Sequence, residues 1–130
     1  MNAVKLAPTV FWIAAAYDGL LGAAFLLAGP QLFGLIGVPQ PNHWAYIHFP
    51  AALLLVFAGL FAAVARRPVE RRDLIWAGVG LKAAYVGTVA GHAATGGLAT
   101  VWIVFGAADA AFLVVFLWCW AQLRSSARAG

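Results

Sequence analysis

Three ionisable residues, Asp18, Lys82 and Asp109, stand near the middle of three different apolar runs, in a chain where only 9% of residues carry charge. Each run is long enough to cross a bilayer. A charge at that depth costs at least about 2.5–3.5 kcal/mol, so such side chains face the protein interior, where they are paired or used. With a rise of about 1.5 Å per residue, Lys82 should lie about 12 Å from one membrane face, Asp18 about 14 Å and Asp109 about 18 Å, close enough to share one layer. One ammonium would then meet two carboxylates. Fully ionised, the set carries one surplus negative charge, and two neighbouring buried carboxylates do not both ionise cheaply, so one is expected to hold a proton or a cation. Two uses follow: a structural clamp, or a catalytic or ligand-binding centre built from Asp18, Lys82 and Asp109.

Other polar groups accompany the trio. Gly78, Lys82, Tyr85, Val89 and His92 recur at spacings of three and four, so one helix face carries a base, a phenol and an imidazole. Ala14, Asp18, Gly22, Phe25 and Gly29 form a comparable face in the first run. His48, Ala52, Leu55, Gly59 and Ala63 do so in the second, and Gly87 and Gly91 add a GxxxG, the pattern that lets helices approach closely in lipid. Tyr85, Tyr17, His48 and His92 are thus candidate ligand-binding residues, although Tyr17 also suits simple packing. The histidines leave three readings open. They can be interfacial hydrogen-bonding groups, His48 and His92 can ligate a b-type haem, or both can join His43 in a zinc or copper site. CxxCH, HExxH, CxxC and phosphate-cradling glycine loops are absent.

The elements that must position these residues are four apolar helices, about 9–29, 44–65, 74–94 and 98–121, each near the 20 residues needed to span the hydrocarbon. With 65% apolar residues in 130, the chain reads as a single integral membrane domain over 1–130, an all-α four-helix transmembrane bundle. Its first run is too long for a signal peptide and carries Asp18, so it is expected to be a retained span. Pro8 is expected to open this helix and Gly29-Pro30 to end it. Gln31–Val38 is then a short interfacial segment. Arg66, Arg67, Arg71 and Arg72 lie between the second and third runs, and Arg124 and Arg128 follow the fourth. The other connections carry no Lys or Arg, which places both termini in the cytoplasm. The net charge of +4 is therefore a topology signal and calls for no nucleic acid. Glu70 and Asp73 should pair loosely with the loop arginines, and Ser125–Gly130 should be disordered. Cys119, the single cysteine, is read as a small apolar filler.

Asp18 and Asp109 stand in similar settings, Ala15-Ala16-Tyr17-Asp18 and Gly106-Ala107-Ala108-Asp109, each with a Phe seven residues on (Phe25, Phe116). Other short motifs are Gly29-Pro30-Gln31-Leu32-Phe33-Gly34 with Val38-Pro39, Ala65-Arg66-Arg67-Pro68, Gly80-Leu81-Lys82 and Ala108-Asp109. In these the chain resembles a broad group of small bacterial four-helix membrane proteins, the DoxX-like proteins. That resemblance implies a multi-pass protein of the bacterial inner (plasma) membrane, with quinone-linked redox chemistry. The chain is also similar to the small multidrug transporters, with four short helices and an acidic residue in the first. That similarity implies proton-coupled exchange by a dimer, but Lys82 and a second Asp in the same layer depart from their pattern.

The leading expectation is a bundle that binds a small lipophilic or redox-active, quinone-like ligand from the bilayer at the Asp/Lys/Asp centre. Lys82 and one Asp would bond the ligand's oxygens and the other Asp would exchange protons. The alternatives are a proton-coupled transporter acting as a homodimer, a membrane isomerase or cyclase using a protonated Asp as general acid, and a structural subunit of a larger membrane complex.

Overall fold

A computed structural model describes residues 2–130 and is helical throughout, with no strand among the described residues. Its four helices are α1 (Ala3–Ile36), α2 (Ala45–Arg66), α3 (Ile75–Thr95) and α4 (Thr100–Ala129), with a single 3₁₀ turn at Arg72–Leu74. Each α-helix is long and apolar enough to cross a membrane. The distribution of exposure agrees with a lipid surround: Leu27 is 85% exposed and Leu35 83%, whereas Lys82 is fully buried. Water would select the reverse.

Short connections make sequential helices antiparallel neighbours. Lys5 and all the arginines therefore lie at one end of the bundle, here called the arginine end, and the opposite end carries no Lys or Arg. The pairs α1–α2 and α3–α4 pack extensively and α1 also meets α4, while α2 and α3 barely touch. Two close approaches depend on glycine. A Cβ at Gly22 would fall 2.6 Å from the Ala51 carbonyl oxygen of α2, and one at Gly106 would fall 2.9 Å from Val89 of α3.

Several boundaries differ from the sequence reading, each for a local reason. α1 starts at Ala3, because the Asn2 side chain accepts from the Val4 N–H at 3.0 Å and caps the helix. Pro8 is therefore inside the helix. Gly29-Pro30 bends α1 without ending it. Pro30 cannot donate to the Leu26 carbonyl and its ring crowds that oxygen, so the backbone breaks at Ala28 (φ −140°, ψ 29°) and the helix resumes to Ile36. The expected interfacial segment is thus these last two turns, closed by Gly37 in the left-handed region (φ 70°) and a bond from Val38 N–H to the Phe33 carbonyl, 3.0 Å.

The expected disordered tail is helical to Ala129. Its alanines and Arg128 favour helix, and the Ser125 and Ser126 hydroxyls donate to the carbonyls of Ala121 and Gln122. In the arginine loop Arg67 meets Glu70 at 3.3 Å in an exposed contact, but Asp73 forms no ion pair among the described residues.

Helix faces were legible to different degrees. Ala14, Asp18, Gly22, Phe25 and Gly29 are all buried, as are Gly78, Lys82 and Val89. The small-residue face expected for α2 instead points outward at Ala52, Leu55 and Gly59, and the buried positions are Ala51, Phe61, Val64 and Ala65. The space beneath Lys82 needs a ring to fill it, and Phe61 supplies one. Gly87 and Gly91 also face outward, with nothing within 4 Å of a Cβ built on either.

These placements yield a stability contrast. Gly22→Ala and Gly106→Ala should each lower thermal stability in detergent by about 1–3 kcal/mol, as overpacking does. Gly87→Ala should be neutral or slightly stabilising, because an exposed helical alanine outperforms glycine. Equal losses at all three positions would refute the packing described.

Candidate functional site

Asp18 of α1, Lys82 of α3 and Asp109 of α4 do converge. The Lys82 Nζ donates to Asp18 Oδ1 at 2.9 Å and Oδ2 at 3.1 Å, and to Asp109 Oδ1 at 2.9 Å. All three side chains are buried, and Lys82 and Asp18 more completely than Asp109, whose side chain keeps 10% exposure. Asp18 commits both oxygens to the ammonium. Asp109 commits one, and its Oδ2 accepts no hydrogen bond among the described residues.

Aromatic rings complete the shell around the ammonium. Its nitrogen lies 5.0 Å from the Phe112 ring centroid, 5.3 Å from Tyr17 and 5.9 Å from Phe61, distances at which ring quadrupoles attract a cation. Tyr17 and Phe112 also pack on each other, centroids 5.4 Å apart. Lys82 is thus fully enclosed, and it is not among the residues that line the cavity described below.

Spacing explains the surroundings. Seven residues, about 10 Å of helix, separate each charged residue from a packing residue on either side. The sets are Phe11 and Phe25 around Asp18, Ile75 and Val89 around Lys82, and Trp102 and Phe116 around Asp109. Toward the arginine end this gives a floor: Phe11 stacks on Phe116 at 4.6 Å, and Phe61 meets Phe116 at 5.2 Å. Gly78 leaves room for these rings, since a Cβ there would lie 2.6 Å from Phe61. Toward the other end lies a roof of Phe25, Phe33, Trp44 and Trp102, with Phe33 5.2 Å from Trp44 and 5.8 Å from Trp102. Gly29 lets the bent end of α1 settle on the Trp44 ring.

Between floor and roof is a cavity of about 230 Å³, lined by residues of all four helices, among them Asp18, Asp109, Tyr17 and Tyr85. Its walls are otherwise apolar, with Phe25, Leu54, Leu81, Trp102 and Phe105 prominent. Tyr85 donates to the Trp102 carbonyl at 3.2 Å, which ties α3 to α4. The Tyr17 hydroxyl is buried and has no hydrogen-bond partner among the described residues. The wall residues were not singled out from sequence as site residues. Trp102 could have been found, because it repeats at −7 from Asp109 the aromatic that stands at +7 from Asp18.

The histidines lie apart from this cavity. His43 Nδ1 accepts from the Ala45 N–H at 3.1 Å and so serves the start of α2. His48 packs beside Trp44 with ring centroids 6.0 Å apart, and His92 is exposed. No group of three or more His, Cys, Asp or Glu side chains placed to hold a metal occurs among the described residues. The three imidazoles are thus not assembled into the metal site considered from sequence. Cys119 is fully buried and packs with Phe11 and Phe116 in the core, the filler role expected of it. Searches against family models, curated proteins and solved structures found no match to this chain.

The trio should behave as a unit. Lys82→Met strands two buried carboxylates and should cost about 3–5 kcal/mol, while Asp109→Leu, which removes one hydrogen bond to the ammonium, should cost less than Asp18→Leu, which removes two. Replacing all three by apolar residues should recover most of the Lys82→Met loss. Thermal unfolding of the purified variants in detergent measures this order. Additive losses in the triple variant would contradict the shared site.

Proposed function

We propose that this chain is a multi-pass inner-membrane protein that binds a small lipophilic, oxygen-bearing ring compound of quinone type beside its Asp/Lys/Asp centre. The arginine end and both termini would face the cytoplasm, following the excess of Lys and Arg there. The reading rests above all on a cavity in the protein interior that is apolar nearly everywhere yet counts among its lining residues Asp109, one of whose carboxylate oxygens accepts no hydrogen bond among the described residues, and Tyr17, whose buried hydroxyl has no partner there. That combination of apolar walls and a few converging polar groups is the general form of small-molecule sites.

Size narrows the ligand. At about 230 Å³ the cavity falls below the ~300 Å³ at which drug-sized pockets usually begin, so one substituted ring fits and a large drug does not. Asp109, protonated at Oδ2, and the Tyr17 hydroxyl would donate to the ligand's carbonyl oxygens, and Tyr85 would hold the α3–α4 wall. Asp109 is the member free to exchange a proton with the ligand, while Lys82 and Asp18 set its charge and position. This division of labour is compatible with the quinone-linked chemistry implied by the resemblance to DoxX-like proteins. Multidrug transport is less well supported, because the aromatic floor blocks a path from the trio to the arginine end.

Native mass spectrometry of the detergent-purified protein should reveal a retained small molecule, and equilibrium binding should show saturable uptake of a methoxylated benzoquinone. Asp109→Leu and Tyr17→Phe should each weaken that uptake about 10-fold, the effect of losing one buried hydrogen bond. Absence of both retained molecule and saturable uptake in the wild-type protein would refute the reading.

A further inference from the structure

The walls of the cavity are unevenly packed. Its floor is the Phe11, Phe61 and Phe116 stack, and its roof is Phe33 and Trp44 with their neighbours. On the α1–α4 side Tyr17 and Phe112 stand in contact across the helix pair. The α1–α2 and α3–α4 seams are shut by the backbone approach at Gly22 and by the Val89–Gly106 contact. Only α2 and α3 lack a packed seam, although the arginine loop joins them. Cavity-lining residues come from both of these helices: Pro50, Leu53 and Leu54 on α2, Leu81 and Tyr85 on α3. Leu53 lines the cavity and is still 38% exposed, so it belongs to the mouth as much as to the interior.

We infer that the cavity is loaded sideways from the bilayer through the α2–α3 gap, by an amphiphile whose ring enters beside Asp109 while its hydrocarbon tail stays between α2 and α3. The inference rests on the ring-binding reading above and adds the route and the tail. It follows from where apolar surface is exposed. A ligand from water would have to pass the roof or the floor, each made of interlocked rings, whereas one dissolved in lipid meets an apolar slot at the depth of the charged layer. The cavity holds about one ring, so a tail has no interior place and must occupy the slot. Leu53, Leu54 and Leu81 offer it matching apolar contacts. Pro50 cannot donate to the Tyr46 carbonyl one turn earlier, and this missing helix bond lies on the gap.

Two probes separate the possibilities with the full-length protein in lipid nanodiscs: 2,3-dimethoxy-5-methyl-1,4-benzoquinone and the same ring bearing a decyl chain. Affinities are expressed per ligand dissolved in the bilayer, so that partitioning does not mimic contact. The wild-type protein should prefer the decyl form at least fivefold. Leu53→Trp, which narrows the mouth, should weaken the decyl probe at least 10-fold and the tailless ring less than twofold. Leu27→Trp, on a lipid-facing position of α1, should change neither. A wild-type preference below twofold, or equal weakening of both probes by Leu53→Trp, would overturn the lateral route while leaving the ring site intact. If neither probe bound the wild-type protein, the ring site itself would fall, and the route with it.

Discussion

An ammonium held between two carboxylates, inside a bundle whose outer surface is almost wholly hydrocarbon, is the contact on which the rest depends. Each charge would be expensive alone in lipid. Brought within hydrogen-bonding distance, they offset one another and draw α1, α3 and α4 to a common point, with the ammonium filling the axis and rings packed about it. In lipid, apolar side chains gain little by leaving one apolar surround for another, so helix association depends on packing and on such polar contacts. The trio is therefore both a link between helices and a source of chemical asymmetry. Asp18 is saturated and Asp109 is not.

Around that point the molecule is layered. The recurrence of packing residues seven positions to either side of each charge sets a floor and a roof at matching heights on antiparallel helices. A cavity remains between them, above the level at which Phe61 packs on Phe116 and Gly78. The same glycines that let helices meet at Gly22 and Gly106 are needed because the neighbouring backbone or side chain is already in place.

Much of this was legible in the sequence, for identifiable reasons. Charged residues inside apolar runs have few cheap positions, so counting 1.5 Å per residue was enough to bring Asp18, Lys82 and Asp109 together. The faces of α1 and α3 followed from the charges they carry. The face of α2 did not, because that helix has no charge to orient it. Its small residues suggested one interior side, whereas Phe61, beneath Lys82, lies on the side that is buried. Proline signals were read too strictly. Pro8 is tolerated within a helix that Asn2 caps earlier, and Pro30 bends a helix whose next turns still find partners in Trp44 and Trp102. The enclosure of Lys82 was illegible, because it depends on three rings contributed by three helices.

The bend at Ala28 settles a matter of length. A straight rod of 34 residues would measure about 51 Å, well beyond the ~30 Å of hydrocarbon a bilayer offers. Turning the final two turns aside converts that excess into the cover over the pocket, with Phe33 as its keystone. The thickness of the surrounding lipid consequently bears on the same segment that caps the interior, because stretching or thinning the membrane changes how far α1 must tilt or bend to stay matched. One break in one helix thus sets both the length of the first span and the cover over the chamber.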